Sequence, residues 1–179
     1  MTFKFTIIFF IYTGFPTTNR AGCNIRITKR FFNVHFCTNI IKFTLYINSD
    51  QVLDIPYKAD GWKEGQLIDV SQWLTSGDNV IAVKAVNRKS WACFLAKLVI
   101  SYTDGTCESV STDMSWLVSQ TEQTGWMNKD FDDTAWVTAD YALKYGGTPY
   151  GSNVTLPIPV HTTYDFDLTD ANWVWYTNG

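Results

Sequence analysis

Nucleophilic and acid–base catalysis need a base held beside a nucleophile, or a proton donor facing an acceptor across the reacting bond. The two histidines, His35 and His161, fall in a strand-like run and in a Thr/Pro-rich stretch, and neither belongs to a Ser-His-Asp or Cys-His arrangement. Asp132-Asp133 invites comparison with glycosidases, whose two carboxylates face each other roughly 5–10 Å apart across the scissile bond. Adjacent residues on one turn do not supply that geometry. Within Phe131-Asp132-Asp133-Thr134-Ala135-Trp136 an Asp is expected instead to accept backbone N–H bonds in an Asx-type turn while Phe131 and Trp136 pack inward. Gly146-Gly147-Thr148-Pro149 lacks the lysine and following helix of a phosphate-binding loop. Cys23, Cys37, Cys93 and Cys107 contain no C-x-x-C pair, which removes zinc knuckles and thioredoxin-type chemistry; two disulfides and buried free thiols both remain open. No spaced Asp ladder marks a calcium loop, so a structural calcium ion stays open and unassigned. The chain reads as having no active site and no cofactor.

Sugar binding asks for less: an aromatic face against the C–H side of a pyranose and a few polar groups for its hydroxyls. Such residues gather on loops. Three stretches fit, Asp60-Gly61-Trp62, Asn87-Arg88-Lys89-Ser90-Trp91 and Tyr145-Gly146-Gly147-Thr148-Pro149-Tyr150. The candidate binding residues are Asp60, Trp62, Asn87, Arg88, Trp91 and Tyr150. Trp62 serves equally well in a core. Trp73, Trp116 and Trp136 are assigned to the core.

The elements that must carry these loops are strands. Aromatics make up 16% of the chain, which favours strands and planar binding surfaces, and the length suits one domain with a real core. Lys42–Ile47, Asn79–Val86 and Phe94–Tyr102 show β-rich alternation. Asp104-Gly105 supplies a tight hairpin turn before Cys107–Val110. The best helical candidate is a single turn at Ser71-Gln72-Trp73-Leu74, started by Ser71 and stopped by Gly77. The fold class is therefore all-β, an antiparallel β-sandwich of jelly-roll type, with under a tenth of its residues in helix.

The flanks are read separately from a sandwich over residues 25–154. Residues 1–49 hold six cationic side chains and no Asp or Glu, yet they are strand-like. Within residues 1–24, Phe5–Tyr12 suits either a first strand or a short secretory leader without a small-x-small cleavage site; it is too short for the roughly 20 residues of a membrane span. Residues 155–171 resemble a linker. Asn172–Thr177, in the last piece 172–179, reads as a loosely held first strand of a second copy, with a closing strand of the same sandwich as the alternative. A net charge of −3 with scattered cations disfavours nucleic acid, and no membrane partner is expected. Asn153-Val154-Thr155 is a glycosylation sequon in a Gly/Pro-rich stretch and accords with an extracellular chain.

Gly61-Trp62-Lys63-Glu64-Gly65-Gln66, Ile68-Asp69-Val70 and Gly77-Asp78-Asn79-Val80-Ile81-Ala82-Val83 together resemble the galactose-binding-like jelly-roll modules of carbohydrate-active proteins. These modules include accessory domains of α-L-rhamnosidases and β-galactosidase-type hydrolases. Tyr102–Thr106, Thr112–Trp116, Gly125-Trp126 and Phe131–Trp136 follow in the same order, so the resemblance covers about residues 41–154. One departure is Leu53–Lys58, where such modules carry an Asn-Gly hairpin; the end of a strand is expected to be lost there. The resemblance implies a lectin-like, non-catalytic module that binds carbohydrate through loops at one end of the sandwich. The alternatives are an accessory fragment of a rhamnosidase-like or galactosidase-like hydrolase and a structural domain without ligand. A further sandwich repeat or a catalytic domain would be its partner in the whole protein.

Overall fold

In a computed structural model the chain is described over residues 5–14, 27–36, 40–59, 65–75, 78–87, 94–102, 106–144, 146–147 and 172–175. Among these residues there are strands and no helix. In chain order the strands are β1 (Phe5–Gly14), β2 (Ile27–Phe36), β3 (Ile40–Ile47), β4 (Asp50–Ala59), β5 (Gln66–Asp69) and β6 (Asp78–Asn87). They continue with β7 (Phe94–Tyr102), β8 (Cys107–Ser111), β9 (Leu117–Ser119), β10 (Val137–Thr138), β11 (Asp140–Lys144) and β12 (Asn172–Trp175). One sheet has the order β10-β9-β1-β6-β3-β4; the other runs β11-β12-β7-β2-β5, with β8 also on β7. Every pairing is antiparallel. The antiparallel β-sandwich expected from the sequence is the fold.

Alternation builds the core. In β3 the side chains of Phe43, Leu45 and Ile47 are buried, and in β6 those of Ile81, Val83 and Ala85. They pack with Phe94, Ala96, Leu98 and Ile100 of β7, alternate residues of one strand face, in a single apolar cluster. Each large aliphatic side chain so buried contributes roughly 1.5–3 kcal/mol. Trp116, one of the tryptophans assigned to the core, joins this cluster with its ring 5.5 Å from that of Phe94. Trp73 packs partly buried against the same cluster.

Four local readings meet their outcome here. Leu53–Lys58 is not a lost strand end: β4 runs unbroken from Asp50 to Ala59. Pro56 is tolerated because β4 is the edge of its sheet and the register with β3 slips between Ile41 and Phe43, so no ladder bond is asked of the proline nitrogen. The turn at Ser71–Trp73 is present but is opened by Asp69, whose carboxylate accepts the Ser71 N–H at 3.0 Å, and it is closed by Trp73 N–H donating to Val70 at 3.1 Å. Gly77 lies outside the described residues, as do Asp104 and Gly105, although the strands on either side of that hairpin pair from Lys97↔Ser111 to Ser101↔Cys107. Phe5–Gly14 forms β1, in the middle of the first sheet between β9 and β6.

The last strand is held inside this sandwich. β12 pairs with β11 along its length and meets β7 through Val174↔Phe94. Buried Thr112 hooks it in place: its Oγ1 donates to the Asn172 carbonyl at 2.6 Å, its own carbonyl accepts the Asn172 N–H at 3.0 Å, and its N–H reaches Ala96 of β7. β12 thus lies between β11 and β7 in its sheet. Removing residues 172–179 takes away the acceptor of the Thr112 hydroxyl and the donor to its carbonyl, leaving only the bonds to Ala96, at about 1–3 kcal/mol for each buried group left without a partner. The truncated chain is expected to melt several degrees lower, since 1 kcal/mol moves Tm by about 2–4 °C at this size. An unchanged melting curve would show that β12 does not close the sheet.

Candidate carbohydrate site

β3 runs the length of its sheet and defines two ends. At one end Ile40 lies opposite Ala59, the last residue of β4, and Ile41 opposite Asn87, the last residue of β6. The strands that lead into the Asp60–Trp62 and Asn87–Trp91 stretches thus finish on either side of the same β3 residues. Asp60, Trp62, Arg88, Trp91 and Tyr150 lie outside the described residues; Asn87 has its backbone placed opposite Phe5 and Ile41, and its side chain is likewise outside them. The cysteine pairing and the sequon also fall there, as do both histidine side chains.

At the other end the described side chains enclose a groove of about 740 Å³. One wall begins at the two-residue turn between β3 and β4. Asn48 and Ser49 have φ of 51° and 77°, the left-handed pair that a tight hairpin demands; Asn adopts it readily and Ser rarely. Hydrogen bonds hold the turn. Asn48 Nδ2 donates to the Trp73 carbonyl at 2.8 Å and to Asn79 Oδ1 at 2.9 Å, while its Oδ1 accepts the Val80 N–H at 2.9 Å. Asn79, fully buried, closes on Thr75 by accepting its N–H at 2.8 Å and donating to its carbonyl at 3.0 Å.

The opposite wall is the connection between β9 and β10, residues 120–136. It is laid down as successive tight turns, with Asn128 N–H on Gly125, Phe131 N–H on Asn128 and Trp136 N–H on Asp133. Gly125 has φ of +78°, and a Cβ there would meet Asn128 Nδ2 at 3.1 Å, so glycine is favoured there. Two tryptophans pin the segment to the outer face of the sheet. Trp126, 1% exposed, and Trp136, 8% exposed, cover Val80 and Ala82 of β6. Trp126 meets Tyr46 edge to face at 5.4 Å, and Trp136 Nε1 donates to Gln123 Oε1 at 2.7 Å. Lys84 of β6 pairs with Glu122. Ser49 joins the two walls, its hydroxyl donating to Asn128 Oδ1 at 2.8 Å.

The Asp132-Asp133 pair sits on this wall as the sequence indicated. Asp132 Oδ1 accepts the Thr134 N–H at 3.1 Å and its hydroxyl at 2.7 Å, and Phe131 packs on Trp136 at 5.7 Å. The two carboxyls are pushed in opposite directions. The Thr134 hydroxyl and N–H hold Asp132 below its ordinary value. Burial and then the charge of Asp132 raise Asp133, whose Oδ2 is buried without a partner. Among the described residues no three His, Cys, Asp or Glu side chains converge as a metal set. No helix among them is long and apolar enough to cross a membrane.

No protein-family model matches the chain. In sequence it is 33% identical over 103 residues to an α-L-rhamnosidase of Streptomyces avermitilis, a match that takes in 55% of this chain and 10% of that enzyme. The chain therefore spans about a tenth of the curated relative. In structure it is similar to the S. avermitilis α-L-rhamnosidase complexed with L-rhamnose, with a TM-score of 0.72 and 25% identity over 84% of this chain and 14% of the other. The Pleurotus ostreatus lectin in complex with GalNAc superposes with a TM-score of 0.68 and 22% identity over 86% of this chain and 41% of the lectin. An α-L-rhamnosidase from Aspergillus terreus gives 0.58 and 18% over 75% and 19%.

The raised Asp133 has a testable sign. A carboxyl whose pKa is raised on folding favours the fold fully below the ordinary value of 3.8 and loses that contribution as pH rises through the raised one. At neutral pH the buried charge therefore costs stability. Asp133→Asn is expected to raise Tm at pH 7, with the gap closing toward pH 3; a lower Tm at pH 7 would show that the charge is compensated.

Proposed function

We propose that this chain is a non-catalytic, extracellular carbohydrate-binding module that holds sugar through loops at one end of the sandwich, with Asp60, Trp62, Asn87, Arg88, Trp91 and Tyr150 as the contacting residues. The observation that carries the reading is the 33% identity over 103 residues with a segment of an α-L-rhamnosidase. A match to a tenth of the enzyme accords with a part that accompanies a catalytic domain rather than one that performs hydrolysis. The likeness in fold to a lectin solved in complex with GalNAc accords with this reading. The same rhamnosidase match favours one second reading, in which the module is the accessory piece of a rhamnosidase-like hydrolase and serves chiefly to present substrate to it.

Adjacent carboxylates on one turn support the absence of catalysis, because a glycosidase pair must straddle the bond it breaks. The purified chain should leave aryl α-L-rhamnosides and aryl β-galactosides intact; turnover lost in Asp132→Ala would overturn this. A glycan array followed by titration calorimetry should return a saccharide ligand, with L-rhamnose and GalNAc as the first probes. Trp91→Ala is expected to weaken binding of the responding glycan by about 1–3 kcal/mol, as for a truncated aromatic anchor, with thermal stability nearly intact. Trp136→Ala should instead cost about 3–5 kcal/mol of stability, as a large core residue does. The reverse pattern would sink the assignment of the site.

A further inference from the structure

We propose that the groove between the Asn48-Ser49 turn and the 124–132 segment is a second saccharide site, one that takes a neutral pyranose unit at the end of the sandwich opposite Asn87. The proposal rests on the carbohydrate-binding reading above and adds a location and a ligand class. Asn87 pairs with Ile41 and the groove begins after Ile47, so the two ends are six β3 residues apart, roughly 20 Å at about 3.4 Å per residue. One monosaccharide cannot touch both.

The lining matches an uncharged polyhydroxylated ring. Phe131 is partly exposed, with its ring backed by Trp136, and offers an apolar patch to a C–H face. Exposed Asp130 and Asp132 flank it as hydroxyl acceptors, and Thr134 engages Oδ1 of Asp132. Thr124 and Thr75 bring hydroxyls from the two sides, and Lys129 brings a cation. Two carboxylates against one ammonium repel an anion. The volume, about 740 Å³, lies inside the roughly 300–1,000 Å³ range of small-molecule sites. The walls are also set in advance: the Ser49–Asn128 bond spans them, and both rest on buried groups, Asn79 on one side and Trp126 on the other. Preorganisation of this kind lowers the ordering cost of binding. A Ser held at φ 77° to make that bridge is a conformation the surroundings impose.

The test is an NMR titration of the full chain with L-rhamnose and, separately, GalNAc, read on the amides of residues 124–132 and 84–87. Asp130→Asn removes one acceptor, and Thr124→Tyr fills the groove from an exposed position. Saturable shifts at 124–132 that persist in Trp91→Ala, weaken at least fivefold in Asp130→Asn and vanish in Thr124→Tyr are the expected result. Shifts confined to the Asn87 end overturn the second site and leave the carbohydrate-binding reading standing. Shifts confined to the groove support the second site and overturn the assignment of the first. No shift anywhere with either sugar overturns the second site, and an empty glycan array alongside it removes the carbohydrate-binding reading as well.

Discussion

A hydrogen-bonded amide pair, Asn48 with the fully buried Asn79, organises one end of this molecule. Asn48 and Asn79 together tie three backbones, the β3–β4 turn, the segment at Trp73–Thr75 and the first residues of β6. Asn79 is fully buried, and the hydrogen bonds to Asn48 and Thr75 supply both its oxygen and its nitrogen. Such groups are costly when left unmade and modestly favourable when made, so their main effect is to fix one geometry against its neighbours. Asn48 can satisfy them only from a left-handed backbone, which in turn sets the left-handed Ser49 beside it. Ser49 then reaches Asn128 across the groove.

The second determinant is that β6 is covered on both faces from Val80 to Val83. Val80, Ile81, Ala82 and Val83 are all fully buried, because the odd residues meet β7 and the even ones lie under Trp126 and Trp136. A sandwich with one wet outer face would alternate here. The run of four apolar residues instead records a strand covered on both sides, a pattern more usual in central strands beneath helices. The cover is a connection without helix or long strand. It holds by two indoles and a chain of tight turns, and it carries Phe131 and Asp132 with it. Core and candidate groove are therefore two faces of one segment.

Much of this was legible locally. The strand runs at Lys42–Ile47, Asn79–Val86 and Phe94–Tyr102 carry their own period, and the Asx turn at Asp132 follows from a short carboxylate two residues before a threonine N–H. What escaped was either a weak local signal or a distant partner. Asn48-Ser49 lacks the Asn-Gly signature of a two-residue hairpin, and the bond that Ser49 makes from φ 77° goes to Asn128, 79 residues away. Trp126 drew no structural reading, because its partner Tyr46 lies across the sheet and not in its own segment. The place of β1 between β9 and β6, and of β12 between β11 and β7, is a matter of long-range register, which an aromatic-aliphatic run does not encode. β4 and β6, the strands that precede the Asp60–Trp62 and Asn87–Trp91 stretches, end opposite neighbouring β3 residues, which is as far as the described backbone reaches.

The Asp132-Asp133 pair puts two neighbouring carboxyls of one turn under different influences. Hydrolysis uses one acid kept protonated and one kept ionised; here the two carboxyls are shifted in opposite directions, since Thr134 stabilises the charge on Asp132 and burial opposes it on Asp133. The separation is achieved by pointing them into different surroundings. Asp132 is exposed on the groove, while an oxygen of Asp133 is buried without a partner. Carboxyls on adjacent residues of one turn do not supply the facing geometry that straddles a glycosidic bond. The turn leaves the groove with Asp132 as an exposed acceptor, held in place by Thr134.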